Sequence, residues 1–202
     1  MIYVLLAIVG SYLLGAVPVG YLVGKIASGK DVREDGSGAT GATNVARQFG
    51  IGFALLTGLL DATKGAVPAL VAAKFGPDWL PAAAAIAAII GHIYPIYLGF
   101  KGGKGICTAL GAALIISPWG VALGAVGFVG AFAVSRFVSA GSLTAVIVYS
   151  SAVLGFGERI SAGGIAPRIF AILLPIIVFW SHRENIRRLI KGEELKPNKE
   201  SK

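Results

Sequence analysis

Ten residues, Gly99 to Thr108, read GFKGGKGICT and hold four glycines and two lysines. Glycines let backbone N–H groups converge on an anion, and a lysine adds a full positive charge. If Gly105 opens a helix, the partial positive charge of the helix N-terminus adds to both. Gly102, Gly103, Lys104, Gly105 and Thr108 are therefore candidates to hold a phosphate. No GxxxxGK[ST] pattern can be aligned on this window, so it is not a Walker loop.

A second cluster, GSGATGATNVAR, runs from Gly36 to Arg47. It contains GxGxxG, yet no strand or βαβ unit surrounds it, so a dinucleotide site is not indicated. Ser37, Gly38, Thr43 and Asn44 read as an anion nest with Arg47 as counter-charge. Thr43 is the expected N-cap of a short helix that carries Asn44 and Arg47 on one face and stops at Gly50. A third cluster, SHRENI (Ser181–Ile186), offers His182, Arg183 and Asn185. A fourth, RFVSAGS (Arg136–Ser142), offers Arg136 and Ser142 in a loop expected over 135–140.

These clusters sit between long apolar runs. The chain has 202 residues, 55% hydrophobic and only 14% charged, with a mean hydropathy of +0.78. A soluble domain carries about 25% charged residues. The expected fold is an all-α, polytopic membrane bundle in a single domain over 1–202, with a disordered tail from about 193. Apolar segments fall at about 2–25, 51–73, 80–98, 105–117, 119–134, 141–157 and 167–181. The first starts at Met1 without a basic flank or cleavage site and is read as a retained span. Pro118 supports a turn between the fourth and fifth, which are short for a hydrocarbon core of about 30 Å.

Seven spans put fourteen of the 18 Lys and Arg on one side and three on the other, with Lys64 inside a span. By the positive-inside rule the N-terminus is outside and the C-terminus cytoplasmic. All four polar clusters then face the cytoplasm and gather Arg47, Lys104, Arg136 and Arg183 at one entrance, a field that attracts anions. Asp61 and Lys64, three residues apart in the second apolar segment, read as a structural ion pair, because charges inside a bilayer face the bundle interior. His92 reads as a packing group. One cysteine excludes an internal disulfide, and one Cys with two His argues against a zinc site. The many small residues allow close helix packing. A substrate with phosphate at one end and hydrocarbon at the other fits this layout.

GSGATGATNVAR, GHIYPIYLGFKGGKGICTALG, SRFVSAGS and HRENIRRLIKGEE together resemble the motifs of the bacterial acyl-phosphate:glycerol-3-phosphate acyltransferase family, in family order and at family spacing. Ile106 and Cys107 replace an expected Val-Ala pair. The resemblance implies transfer of a fatty acyl group from acyl phosphate to the 1-hydroxyl of sn-glycerol 3-phosphate in phospholipid synthesis, giving lysophosphatidic acid and phosphate. It implies the bacterial inner membrane with a cytoplasmic active site, and neither acyl-CoA nor acyl carrier protein as direct donor. The donor is already activated, so no cofactor and no metal is expected. The HxxxxD pattern of soluble-type acyltransferases is absent: Tyr97 and Arg187 lie five residues after His92 and His182.

Lys104, Ser142, His182 and Asn185 are the expected catalytic residues. Glu184, Gly192 and Glu193 are the expected structural residues of the last motif. His182 is the one side chain placed to titrate near neutral pH, and the favoured alternative is that a substrate phosphate accepts the proton. Expected partners are the two substrates, membrane lipid and, transiently, the soluble enzyme that makes acyl phosphate; no nucleic acid is expected. The competing reading is a small transporter of phosphate-bearing anions, which needs charges along a path through the bilayer. A CDP-alcohol phosphotransferase would need an aspartate cluster that this chain lacks.

Overall fold

The computed structural model describes residues 2–161 and 163–196, and among these all regular structure is helical. The helices are α1 (Ile2–Ala16), α2 (Val19–Ser28), α3 (Ala42–Phe49), α4 (Ile51–Phe75), α5 (Leu80–Ile93), α6 (Ile106–Ile116), α7 (Pro118–Ser135), α8 (Val138–Ile160), α9 (Ala166–Ser181) and α10 (Arg183–Lys191). Five apolar stretches, 2–28, 51–75, 80–98, 118–135 and 138–157, are long enough to cross a bilayer. A sixth is reached if α9 and α10, bent by 61°, count as one span. Helix α6, with 11 residues, rises only about 16 Å.

Each expected apolar segment coincides with a helix or helix pair, with local differences. The first is broken at Val17–Pro18 because proline cannot donate to the preceding turn. At the break the Val17 carbonyl accepts from Val19 N–H at 3.0 Å and from Lys64 Nζ at 2.8 Å. Pro118 does separate α6 from α7: Ser117 caps α7 by accepting from Gly120 N–H at 3.3 Å. The loop expected over 135–140 shrinks to Arg136 and Phe137, so Ser139 and Ser142 lie on α8. Thr43 is not the N-cap of α3. The helix starts two residues earlier, at Ala42, with Gly41 as cap.

Small residues determine which helices touch. Gly15 on α1 and Gly91 on α5 lie directly against the partner backbone, so a Cβ at either would strike it. Gly65 on α4 and Gly111 on α6 pack the same way. Lipid tails are as apolar as the helix surfaces, so close van der Waals packing carries this association. The core of Ile89, Ile93, Val153, Phe170 and Val178 joins α5, α8 and α9.

Candidate active site

The segment between α2 and α4 is organised around Asn44, which is 1% exposed. Its Nδ2 donates toward the carbonyls of Val32 (2.8 Å), Ala39 (3.0 Å) and Asp35 (3.1 Å), while its Oδ1 accepts from Ser37 N–H at 2.9 Å. Asn44 lines the central cavity, but its amide is fully committed to shaping the loop. Arg33 holds Asp31 through both carboxylate oxygens and donates to Leu98 O at 3.3 Å. Thr40 N–H reaches Gly102 O at 3.4 Å. The first polar cluster is thus tied to the glycine loop.

The glycine loop is fixed by its own amides. Gly102 N–H donates to Ile93 O (3.2 Å) and Gly103 N–H to His92 O (3.1 Å). Neither glycine lines the cavity. Gly105 caps α6 at φ 81°, a left-handed conformation that glycine tolerates. Ile106, Cys107 and Thr108 make up the first turn of α6, where amides lack an intrahelical acceptor. Gly105, Ile106 and Cys107 line the cavity beside Lys104. Ser181 Oγ donates to Lys104 O at 3.0 Å, pinning the loop to the end of α9. Burial, and then the neighbouring Arg188 and Arg47 charges against the opposing pull of Glu194, lower the Lys104 amine to about 8.

His182 sits at the α9–α10 bend, 2% exposed. Its Nδ1 lies 2.9 Å from Val178 O. A carbonyl only accepts, so Nδ1 carries the proton and Nε2 is left as an acceptor. Burial and the Lys104 charge lower His182 to about 4, so the ring is neutral at pH 7.

The tail folds back over the cavity. Glu194 is buried and accepts from Ser139 Oγ (2.9 Å), Asn185 Nδ2 and Arg188 Nε (2.9 Å). Arg47 donates through Nε to Lys196 O (2.9 Å) and through Nη2 to Leu195 O (3.1 Å). The tail expected to be disordered from about 193 is therefore held through 196 by these bonds. Residues 197–202 lie outside the described residues.

Two cavities meet here. The polar one, about 220 Å³, is lined by Ser37, Thr43, Asn44, Arg47, Lys104, Ser142, His182 and Asn185, together with Asp61, His92, Ser139 and Glu194. The apolar one, about 330 Å³, runs between α6, α7 and α8 past Ala113, Gly124, Ala125, Val146 and Tyr149. They share Ile106, Phe128 and Ser142.

The structure brings Ser37, Thr43, Asn44, Arg47, Lys104, Gly105, Ser142, His182 and Asn185 around the polar cavity, and leaves other candidates off its wall. Gly38 lies in the loop at φ 69°. Thr108 is fully buried with no partner for Oγ1 among the described residues. Arg136 caps α7 in a left-handed conformation. Arg183 lies over the Trp180 ring at 5.1 Å. Glu184 pairs with Arg187 at 2.9 Å on the exposed face of α10, and Gly192 ends that helix at φ 72°. Glu193 is exposed; the buried glutamate is its neighbour Glu194. Asp61 and Lys64 form the expected pair, at 2.9 Å, but Asp61 also faces the cavity. Among the described residues no three His, Cys, Asp or Glu side chains gather as a metal site would require.

Sequence reasoning missed Ser139, His92 and Glu194 as wall residues. Ser139 could have been found once α8 began at Val138, because it lies three residues from Ser142 and hence on one helical face. Nothing in the GEE triplet tells which glutamate turns inward.

The family model for glycerol-3-phosphate acyltransferase matches residues 5–192. A glycerol-3-phosphate acyltransferase of Anaeromyxobacter sp. (strain K) is 41% identical, covering 95% of this chain and 96% of its own length. One from Thioalkalivibrio sulfidiphilus (strain HL-EbGR7) is 44% identical, covering 96% and 94%. The crystal structure of PlsY (YgiH), an integral membrane glycerol 3-phosphate acyltransferase, in its glycerol 3-phosphate form superposes with a TM-score of 0.87 at 37% identity, over 96% of this chain and 95% of that one. The lysophosphatidic acid form of the same protein gives 0.85.

Proposed function

This chain belongs to the glycerol-3-phosphate acyltransferase family, and from that premise we propose that it moves a fatty acyl group from acyl phosphate to the 1-hydroxyl of sn-glycerol 3-phosphate. The chain is an integral membrane acyltransferase. The observation that carries the choice of substrates is the join between the two cavities at Ile106, Phe128 and Ser142. One cavity suits two phosphates and a glycerol; the other suits a hydrocarbon chain. An acyl carbonyl at the join would have its chain among α6–α8 and its phosphate beside Lys104.

In this reading Lys104 and the first-turn amides of α6 hold one phosphate. Arg47 and Ser37 face the other. Ser142, His182 and Asn185 line the glycerol. The hydroxyl oxygen attacks the acyl carbon and forms the ester bond. The bond from that carbon to the phosphate oxygen breaks, and inorganic phosphate leaves. The hydroxyl proton passes to a phosphate oxygen of a substrate. A base works best with a pKa near the operating pH. His182, near 4, is a poorer acceptor than a phosphate monoester, whose second pKa is about 6. Its bare Nε2 serves instead to accept a glycerol hydroxyl hydrogen bond.

The basic residues near the site support a cytoplasmic active site in the bacterial inner membrane and, with the short α6 counted as a seventh span, an outside N-terminus; transient supply of donor by the soluble acyl-phosphate-producing enzyme belongs to the same proposal. Purified protein should form lysophosphatidic acid from acyl phosphate and glycerol 3-phosphate, and none from acyl-CoA. Equal use of both donors would overturn the donor assignment.

A further inference from the structure

Beneath the glycine loop lies a buried charged group that the transfer scheme leaves unused. Asp61 and Lys64, 1% and 5% exposed, pair on α4. His92 on α5 sets its Nδ1 3.4 Å from the same Asp61 oxygen. Lys64 and His92 stand at ion-pair distance from Asp61 Oδ1, but neither oxygen of Asp61 nor His92 Nδ1 has a hydrogen-bond partner among the described residues. A buried ion pair is weak as a stabilising device, because desolvation offsets its attraction. Ionisable groups inside a membrane bundle more often mark a working site. Here both Asp61 and His92 reach the wall of the polar cavity, next to Lys104, Gly105 and Cys107.

His92 grips the loop twice. Its carbonyl accepts from Gly103 N–H at 3.1 Å. Its ring Nε2 lies so close to Gly103 that a Cβ there would overlap it. A carboxylate attracts the N–H edge of a ring even at this distance, outside hydrogen-bond geometry, so Asp61 biases which way the ring turns and which edge meets the loop. Lys64 anchors the carboxylate from behind through Val17 O at the α1–α2 break.

We propose that Asp61 and His92 are positioning residues for acyl transfer: Asp61 orients the His92 ring, and the ring supports Gly103 at the height that points Lys104 and the α6 amides at a phosphate. The inference rests on the reading above that this loop holds a phosphate of a substrate.

The test is a steric suppressor. Inorganic phosphate binding to detergent-purified protein is measured by calorimetry, alongside KM and kcat for both substrates. Gly103→Ala should weaken phosphate binding at least tenfold and raise KM for the substrate that the loop holds, with kcat within about threefold. In a His92→Ala background the added methyl has room, so Gly103→Ala should then change phosphate affinity less than twofold. His92→Asn, which keeps a donor toward Asp61, should recover most of what His92→Ala loses. Asp61→Asn should weaken phosphate binding in the same direction. Additive losses for Gly103→Ala and His92→Ala, or His92→Asn no better than His92→Ala, would overturn the proposal. Phosphate binding is read without turnover. A parent protein that binds phosphate but transfers no acyl group therefore counts against the transfer reading alone.

Discussion

The Lys104 amine offers a direct test of the site, because its lowered value of about 8 places a titration inside a measurable window. A lysine is charged below its pKa, so the anion-binding form is present at pH 7 and lost as pH rises through about 8. The substrates' phosphates are already dianionic there, with a second pKa of about 6. One unit above the pKa about a tenth of the lysine remains charged, so kcat/KM, which reports the free enzyme, should fall about tenfold between pH 7 and 9, and about fivefold of that between pH 8 and 9. Lys104→Ala removes a charge-assisted contact that contributes about 1.5–3 kcal/mol, roughly 10- to 150-fold in kcat/KM at pH 7. Lys104→Arg carries a guanidinium that does not deprotonate, so its profile should be flat from pH 7 to 10, whatever its absolute rate. The assay is initial-rate lysophosphatidic acid formation by purified protein, corrected for spontaneous acyl phosphate hydrolysis. An alkaline limb that survives in Lys104→Arg, or its absence in the parent, would refute the assignment of Lys104 to a bound phosphate.

His182→Ala should keep an acidic limb near pH 6 and raise KM for glycerol 3-phosphate, because a substrate phosphate takes the proton; a drop in kcat of about 10²–10⁴ with that limb abolished would make His182 the base. Ala125→Trp, from an exposed position on the apolar cavity wall, should raise KM for long-chain acyl phosphate about tenfold and leave acetyl phosphate unaffected. Glu194→Ala leaves Asn185 and Arg188 without their carboxylate and should destabilise the protein by about 1–3 kcal/mol in a detergent melt, while Glu193→Ala should not shift the midpoint.

The apolar segments and the four polar clusters were readable because bilayer hydrocarbon imposes long uncharged runs, and every interruption then stands out. GGKG, TNVAR, SAGS and HREN all meet at the site for that reason. What stayed hidden depends on direction rather than type. The Pro18 break matters because Lys64, far along the chain, takes the Val17 carbonyl. Gly102 and Gly103 looked like anion donors, yet their amides are spent on Ile93 and His92, and the free edge of the loop begins at Lys104. Asn44 has a side chain suited to substrate but uses it to hold Val32, Asp35 and Ala39. Glu193 and Glu194 are indistinguishable in sequence, and only the turn after Gly192 decides which is buried.

The two cavities do not contribute to binding in the same way. In water, burying an acyl chain yields about 0.8 kcal/mol per CH₂. A donor already dissolved in the bilayer gains almost none of this, because lipid tails are as apolar as Ala113 or Val146. The groove therefore supplies little affinity; it sets where the carbonyl stops, at Ile106, Phe128 and Ser142. Every lipid around the protein carries a comparable chain, so discrimination has to come from the other end of the donor. That end meets Lys104, Arg47 and the α6 amides in a buried, cationic cavity, where a phosphate contact exceeds what an exposed charge contributes. Chain length should accordingly alter kcat/KM far less than the loss of Lys104 does.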